Sequence, residues 1–558
     1  MEEKNTANAK PKISFMKNVL ILMFSEVAVK VMGLIYKLVI TNIEGFGDTG
    51  LGYYSSGYQI YSLLLALCSI GIPSVVSKLV SERLAINDNA GAQRIFKITM
   101  KLFAGIGLFF SVTLFLFADL IATKILNVPD VSYVLKVLAP AIVFVAASSV
   151  FRGYFNAQSN MKPASVSYTL EQFLNCVLSI TFVYALIGKD AYIMAAGGNL
   201  STTISVILTF VYIFIYYKRH KIKYAEEELK NSPEYNKTSK QLLKAVLAFS
   251  IPITIGSIIS VITSVIDTTT VSNCIQIAYS GIINSKEALE QLAMQKAGIL
   301  SKVDTLVNLP IAINIALSTA LLPAISHSVA QKDFDTTNKR LSFSVFISIL
   351  IIIPCAIGFI VLAEPILKLI YPSASDGAWV LRLASISMIF IALSQTINSG
   401  LQGLSKVYIP AIALAVGAAV KLILNVILIS NPSINIYGAP ISSITCQIIA
   451  FCISYTSLKK SIKLNMDFKR NVLKPILAGL IMGLVVSLSN YGLNLITGQT
   501  ISTLISILIG VAVYIISVLL LKILTKEDIF MLPFGAKIYN ILAVSYTHLR
   551  AHETGRNL

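Results

Sequence analysis

The residues of this chain best placed to do chemistry are ionisable side chains set inside long apolar stretches. Lys30 and Lys37 lie in the first such stretch, after Glu26. Asp267 lies in the seventh, Lys302 and Asp304 in the eighth, and Lys421 near the middle of the eleventh. At bilayer depth a charge costs at least ~2.5–3.5 kcal/mol to insert, so it is kept where it faces a wet interior, a partner or a substrate. Lysine binds phosphate as a compact point charge. Lys30, Lys37, Lys302 and Lys421 are therefore candidate substrate ligands in a cationic cavity, and the substrate they suit is anionic. Glu26 stands one helical turn before Lys30 and can pair with it, while Lys37 follows on the same face. For Lys37, Lys302 and Asp267 the competing reading is a side chain that snorkels to the membrane surface. Lys30 and Lys421 sit too near mid-span for that.

Other polar groups have plainer alternatives. Arg152 and Glu171 are either part of the site or a structural pair beside a turn at Gly153. Gln395 and Asn398, in Gln395-Thr-Ile-Asn398-Ser-Gly-Leu-Gln402, suit sugar hydroxyls or contacts between helices, and the second reading is preferred. Glu44 and Asp48 are the nearest thing to a carboxylate pair outside the apolar stretches, and no large loop surrounds them, which argues against an enzyme. The six cysteines lack paired or metal-type spacing, and two of the four histidines fall at the extreme C-terminus, so no metal centre or cofactor is expected.

Membrane helices are the elements that must position these charges. The chain has 558 residues, 55% of them hydrophobic and 13% charged, where a soluble protein carries about 25% charged residues. A bilayer crossing needs about 20 mostly apolar residues. That rule gives fourteen candidate spans, the first over 19–43. The expected fold class is an all-α polytopic membrane protein.

The net charge of +18 is not a nucleic-acid signature. Lys10, Lys12, Lys17, Lys78, Arg83, Arg94, Lys97, Lys218, Arg219, Lys221, Lys459, Lys460, Lys469 and Arg470 fall in alternate loops, and the loops between carry few bases. This positive-inside pattern predicts both termini in the cytoplasm, with the basic loops touching anionic lipid headgroups. Positions such as Asp48 and Ser433 are then expected to be reachable from outside. Residues 1–18 are expected to be a cytoplasmic tail with no cleavable signal, and 545–558 read as a non-native tail.

Two stretches repeat each other. Gly153 to Pro163, running on to Leu174-Asn175, matches Gly400 to Pro410, running on to Leu424-Asn425, each at the hairpin of a helix pair. Ile72-Pro73 likewise matches Leu322-Pro323. The repeat divides the chain into a first lobe over 19–217, a linker over 218–242, a second lobe over 243–458 and two extra helices over 472–524. Six helices per lobe run in the same sense, so their pseudo-two-fold axis lies along the membrane normal, with a path between the lobes. Pro73 and Pro323 are expected to hinge matched helices. That ground plan suits a transporter.

The segments Gly33-Leu-Ile-Tyr-Lys37-Leu, Gly50-Leu-Gly-Tyr-Tyr54, Tyr58-Gln-Ile-Tyr61, Gly71-Ile-Pro-Ser-Val-Val-Ser-Lys78 and Ala316-Leu-Ser-Thr-Ala-Leu-Leu-Pro323 resemble the stage V sporulation protein B and MurJ-type branch of the MOP exporter superfamily. The resemblance covers about residues 15–540. It implies a V-shaped pair of lobes that moves an undecaprenyl-diphosphate-linked sugar between leaflets by alternating access. It implies a cationic cavity built largely by spans 1, 2, 7 and 8, with Lys30 and Lys37 at or beside positions where relatives carry arginine. Thr305 stands where an arginine is expected, and Lys302 is the nearest cation. The resemblance also implies a groove at the last two helices for the polyprenyl tail. Lipid II is the first choice of substrate. Another lipid-linked oligosaccharide, for sporulation or capsule, is the close alternative, and a multidrug antiporter the more distant one. Coupling to Na⁺, H⁺ or membrane potential is left open. A monomer in the bacterial cell membrane is expected, with cell-wall synthesis proteins as possible partners.

Overall fold

The computed structural model describes residues 28–69, 71–222, 238–462, 467–525 and 528. Glu26, the 1–18 tail, residues 223–237 of the linker and the 545–558 tail lie outside them. The helices are α1 (28–41), α2 (Gly47–Cys68), α3 (Ile72–Leu84), α4 (Asn89–Leu120), α5 (Val131–Leu138), α6 (Ala141–Ala157), α7 (Lys162–Ala185) and α8 (Ala191–His220). After the linker come α9 (Ser239–Tyr279), α10 (Lys286–Ala330), α11 (Phe334–Val361), α12 (Ala363–Ile370), α13 (Ala378–Gly403), α14 (Tyr408–Ile429), α15 (Gly438–Ser461), α16 (Lys474–Thr497) and α17 (Gln499–Leu520). Thirteen helical segments among the described residues are long and apolar enough to cross a membrane. With α1, the described part of the first expected span, they make a multi-pass helical membrane protein.

Local signals place the helix starts. Asp88 caps α4 by accepting the Gly91 N–H at 2.7 Å, and Asp333 caps α11 by accepting the Thr336 N–H at 3.0 Å. The hydrogen bonds from Thr336 hold the Asp333 carboxyl below the usual carboxylate range. Pro163 stands in the first turn of α7, where its missing N–H costs nothing.

Packing gathers α3–α8 into one group and α9–α15 into another, α2 packs against both, and α16 and α17 pair against α11. The repeat has a packing role in both groups. At Gly153 a side chain would meet the Pro73 carbonyl at 2.7 Å, and at Gly400 it would meet Leu341 at 2.8 Å. Each glycine therefore lets its helix cross a neighbour closely. Ser159 and Ser405 turn both hairpins with left-handed backbone, and Pro163 and Pro410 open the return helices α7 and α14. The motif's asparagines are buried polar hubs. Asn175 accepts from Ser201 at 2.5 Å, and Asn425 donates to Asp267 at 3.0 Å and Thr270 at 2.9 Å.

The matched prolines do not behave alike. Pro73 starts α3 after a break following Cys68, whereas residue 323 lies within the unbroken α10. A break in the helix therefore accompanies Pro73 and not residue 323. At this end α3 meets α9, with the Lys78 ammonium 3.8 Å above the Phe249 ring.

Candidate functional site: a polar cavity between the lobes

Two adjoining cavities of about 290 and 120 Å³ lie between the lobes and share Lys37, Ser55, Gln59, Ser301, Thr305 and Asn308. Their walls come from α1, α2, α9 and α10, with Gln172 added from α7. Lys30 and Lys37 both line the larger one. The Lys37 Nζ donates to the Thr305 hydroxyl at 3.3 Å, and the Thr305 hydroxyl donates in turn to the Ser301 carbonyl at 2.8 Å. Thr305 thus holds a lysine of the other lobe. Asp267 and Asp304 line the smaller cavity.

Lys421 does not line it. Its ammonium is buried behind the wall, 2.5 Å from Asp267 and 3.2 Å from the Thr263 carbonyl. Among the described lining residues two lysines therefore face two carboxylates, one of which Lys421 neutralises from behind. The cavity's positive excess is smaller than four lysines would give.

Lys302 is the larger correction. It is fully buried, away from the cavity, with its ammonium 2.7 and 2.9 Å from the two Asp48 carboxylate oxygens and also donating to the Ala374 carbonyl. Asp48, expected at an outside surface, is itself only 7% exposed. Around this pair α2 and α10 touch backbone to backbone: a Cβ at Gly52 would lie 1.8 Å from the Met294 carbonyl oxygen, and one at Gly298 1.7 Å from that of Asp48. Asn42 adds a bond to the Ile370 carbonyl at 2.9 Å. The lobes are thus latched at the end remote from the basic loops.

The remaining candidates stand outside the cavity. Arg152 binds Glu171 at 2.5 Å and Ser167 at 2.9 Å inside the first lobe. Gln395 accepts from Asn314 at 3.0 Å, a contact between helices. Asn398 reaches neither cavity. Gln59, Gln172 and Asn308 escaped the sequence reading because a neutral amide carries no insertion signal. Gln59 did stand in the Tyr58-Gln-Ile-Tyr61 motif.

A second space of about 350 Å³ is almost wholly apolar and lies between α10, α11, α16 and α17. Pro310, Gly358, Phe359, Met482, Gly510 and Tyr514 are among its walls. Leu309 lines the polar cavity and Pro310, the next residue, lines this groove. Consecutive residues of one helix thus line the two spaces.

A family model described as polysaccharide biosynthesis protein matches residues 15–329. The chain belongs to the polysaccharide biosynthesis protein family. A second model, MatE, matches 268–427. Stage V sporulation protein B of Bacillus subtilis (strain 168) is 24% identical over 94% of this chain and 99% of its own length. Lipid II flippase MurJ of the same organism is 25% identical over 83% of this chain and 86% of its own. Among solved structures, Lipid II flippase MurJ in its inward closed conformation superposes with a TM-score of 0.67 at 19% identity, covering 90% of this chain and 98% of that one. This member of the polysaccharide biosynthesis protein family shares the fold of that flippase, and its second lobe carries the MatE match.

Within this family member, replacing Lys421 with alanine removes the ion-pair partner of Asp267. Asp267 keeps a cavity face, so the expected loss is about 1–3 kcal/mol of thermal stability. The double replacement Lys421→Ala with Asp267→Ala is expected to recover part of it. Thermal unfolding in detergent measures both, and a melting temperature unchanged in Lys421→Ala would show that the pair is not structural.

Proposed function

We propose that this protein is a flippase for a polyprenyl-diphosphate-linked saccharide, with lipid II the first substrate to test. It carries the headgroup from the cytoplasmic to the outer leaflet by alternating access. The basic loops and both termini face the cytoplasm in this reading. The observation that carries it is a polar, lysine-bearing cavity and an apolar groove that take their walls from consecutive residues of α10, Leu309 and Pro310. An amphipathic lipid needs one wet cationic site for its headgroup and one apolar site for its chain. Lys30 and Lys37 suit the diphosphate, and a groove formed with α16 and α17 suits an isoprenoid. The similarity to a lipid II flippase supports the same reading.

Depletion of the protein is the direct test. Labelled lipid II is expected to accumulate in the inner leaflet, and unchanged leaflet distribution in cells without another flippase would refute the assignment. Lys37→Ala and Lys30→Ala are each expected to slow flipping roughly tenfold, the value of ~1.4 kcal/mol of lost charge attraction. Lys460→Ala, exposed at the surface, is expected to leave it unchanged at equal abundance. Equal rates for all three would show that the cavity lysines do not contact substrate.

A further inference from the structure

The larger cavity holds a second kind of lining whose acceptor groups a diphosphate leaves unmatched. Tyr58, Gln59, Gln172 and Asn308 all face it. The described residues give the Tyr58 hydroxyl, the Gln172 carboxamide and the Asn308 carboxamide no hydrogen bond, and Gln59 uses only its Oε1, which accepts weakly from Ser62 at 3.4 Å. Tyr58, Gln59 and Gln172 are half-buried and Asn308 is exposed. Among the described residues, two amides and a phenol line one space without a hydrogen-bond partner, and the third amide has only the weak Ser62 contact. Its own helix α2 braces the Tyr58 ring. The Tyr58 ring stacks on Tyr54 at 6.4 Å and tilts against Tyr61 at 5.6 Å, and Tyr54 in turn bonds Tyr36 at 3.2 Å. The platform is held before any ligand arrives.

The chemistry of this wall differs from that of Lys30 and Lys37. A diphosphate at neutral pH only accepts hydrogen bonds, so lysines and hydroxyl donors satisfy it. A carboxamide presents a donor and an acceptor side by side. Its natural complement is a neutral ligand with hydroxyls or amides that also do both. An aromatic ring beside those amides adds a surface for polarised C–H groups. Pyranose rings combine these properties: a rim of hydroxyls and a face of axial C–H bonds.

We infer that Tyr58, Gln59, Gln172 and Asn308 form a saccharide subsite, distinct from the lysines, that binds the first neutral sugar of the lipid-linked headgroup. The inference rests on the flippase reading and adds to it the recognition of the sugar. Three residues come from the first lobe and Asn308 from α10 of the second. A sugar held there bridges the lobes beside the Lys37–Thr305 contact, so the subsite reads the headgroup while the opposite end is latched.

The test uses the full chain in lipid nanodiscs, titrated with undecaprenyl diphosphate and with the same lipid carrying an N-acetylhexosamine disaccharide. The wild-type protein is expected to bind the sugar-bearing lipid roughly three- to tenfold more tightly per hydrogen-bonding group engaged. Tyr58→Ala, Gln172→Ala and Asn308→Ala are each expected to remove part of that increment while the sugarless lipid binds as before. Tyr58→Phe should retain most of it. Gln172 and Asn308 have no hydrogen-bond partner among the described residues, so their variants should fold. If the wild type binds both lipids equally, the subsite is wrong while the flippase reading stands. If it binds neither, both fail. If the alanine variants weaken both lipids equally, these residues only support the cavity wall and the inference is overturned.

Discussion

Lys302→Ala is expected to unlatch the lobes at the end remote from the basic loops and to cut transport at least tenfold. The ammonium it removes is fully buried, and the Asp48 carboxylate it leaves behind is 7% exposed. Breaking a buried pair by deleting one partner costs about 3–5 kcal/mol, because the survivor keeps its charge without compensation. The least costly relief is for water to reach Asp48, which requires α2 and α10 to part. Each ~1.4 kcal/mol shifts an equilibrium tenfold, so the closed arrangement should become a minority state. Spin labels at Lys189 and Ile282, both exposed at that end, should report a longer distance. Asp48→Asn with Lys302→Gln removes both charges and should restore much of the closed population. An unchanged distance in Lys302→Ala would mean that the pair is bystander packing.

The second large effect is expected at Gly298. Alanine there should abolish closure and lower transport roughly a hundredfold at normal abundance. Its Cβ would lie 1.7 Å from the Asp48 carbonyl oxygen and 3.0 Å from the Gly52 nitrogen. Both are backbone atoms, so no rotamer change relieves the clash and the helices must separate. Overpacking a tight contact costs about 1–3 kcal/mol even where side chains can move, and here they cannot. Gly281→Ala is the control, because nothing lies within 4 Å of its Cβ position. Transport at the wild-type rate in Gly298→Ala would show that the cycle does not require this crossing.

Much of this protein is legible in its amino-acid order. Long apolar stretches separated by alternately basic loops specify a helical membrane protein, because a backbone in hydrocarbon must bond within its own helix. The repeated Gly153 and Gly400 hairpins mark the two lobes, and at Gly153 a backbone carbonyl leaves no room for a side chain. The placement of Lys30 and Lys37 beside a cavity was also within reach, because insertion cost singles out mid-span charge whatever the fold.

What only the tertiary structure decided is which charges have partners. Lys302 and Lys37 read alike in sequence, as lysines on apolar helices. One is sealed against Asp48, 254 positions away, and the other faces the cavity. Lys421 finds Asp267 across 154 positions. Helical spacing relates side chains a few residues apart and says nothing of such distances. The amides of Gln172 and Asn308 were invisible for the complementary reason. A neutral polar group marks a site only when it converges with others, and convergence belongs to the packing of helices rather than to any one of them.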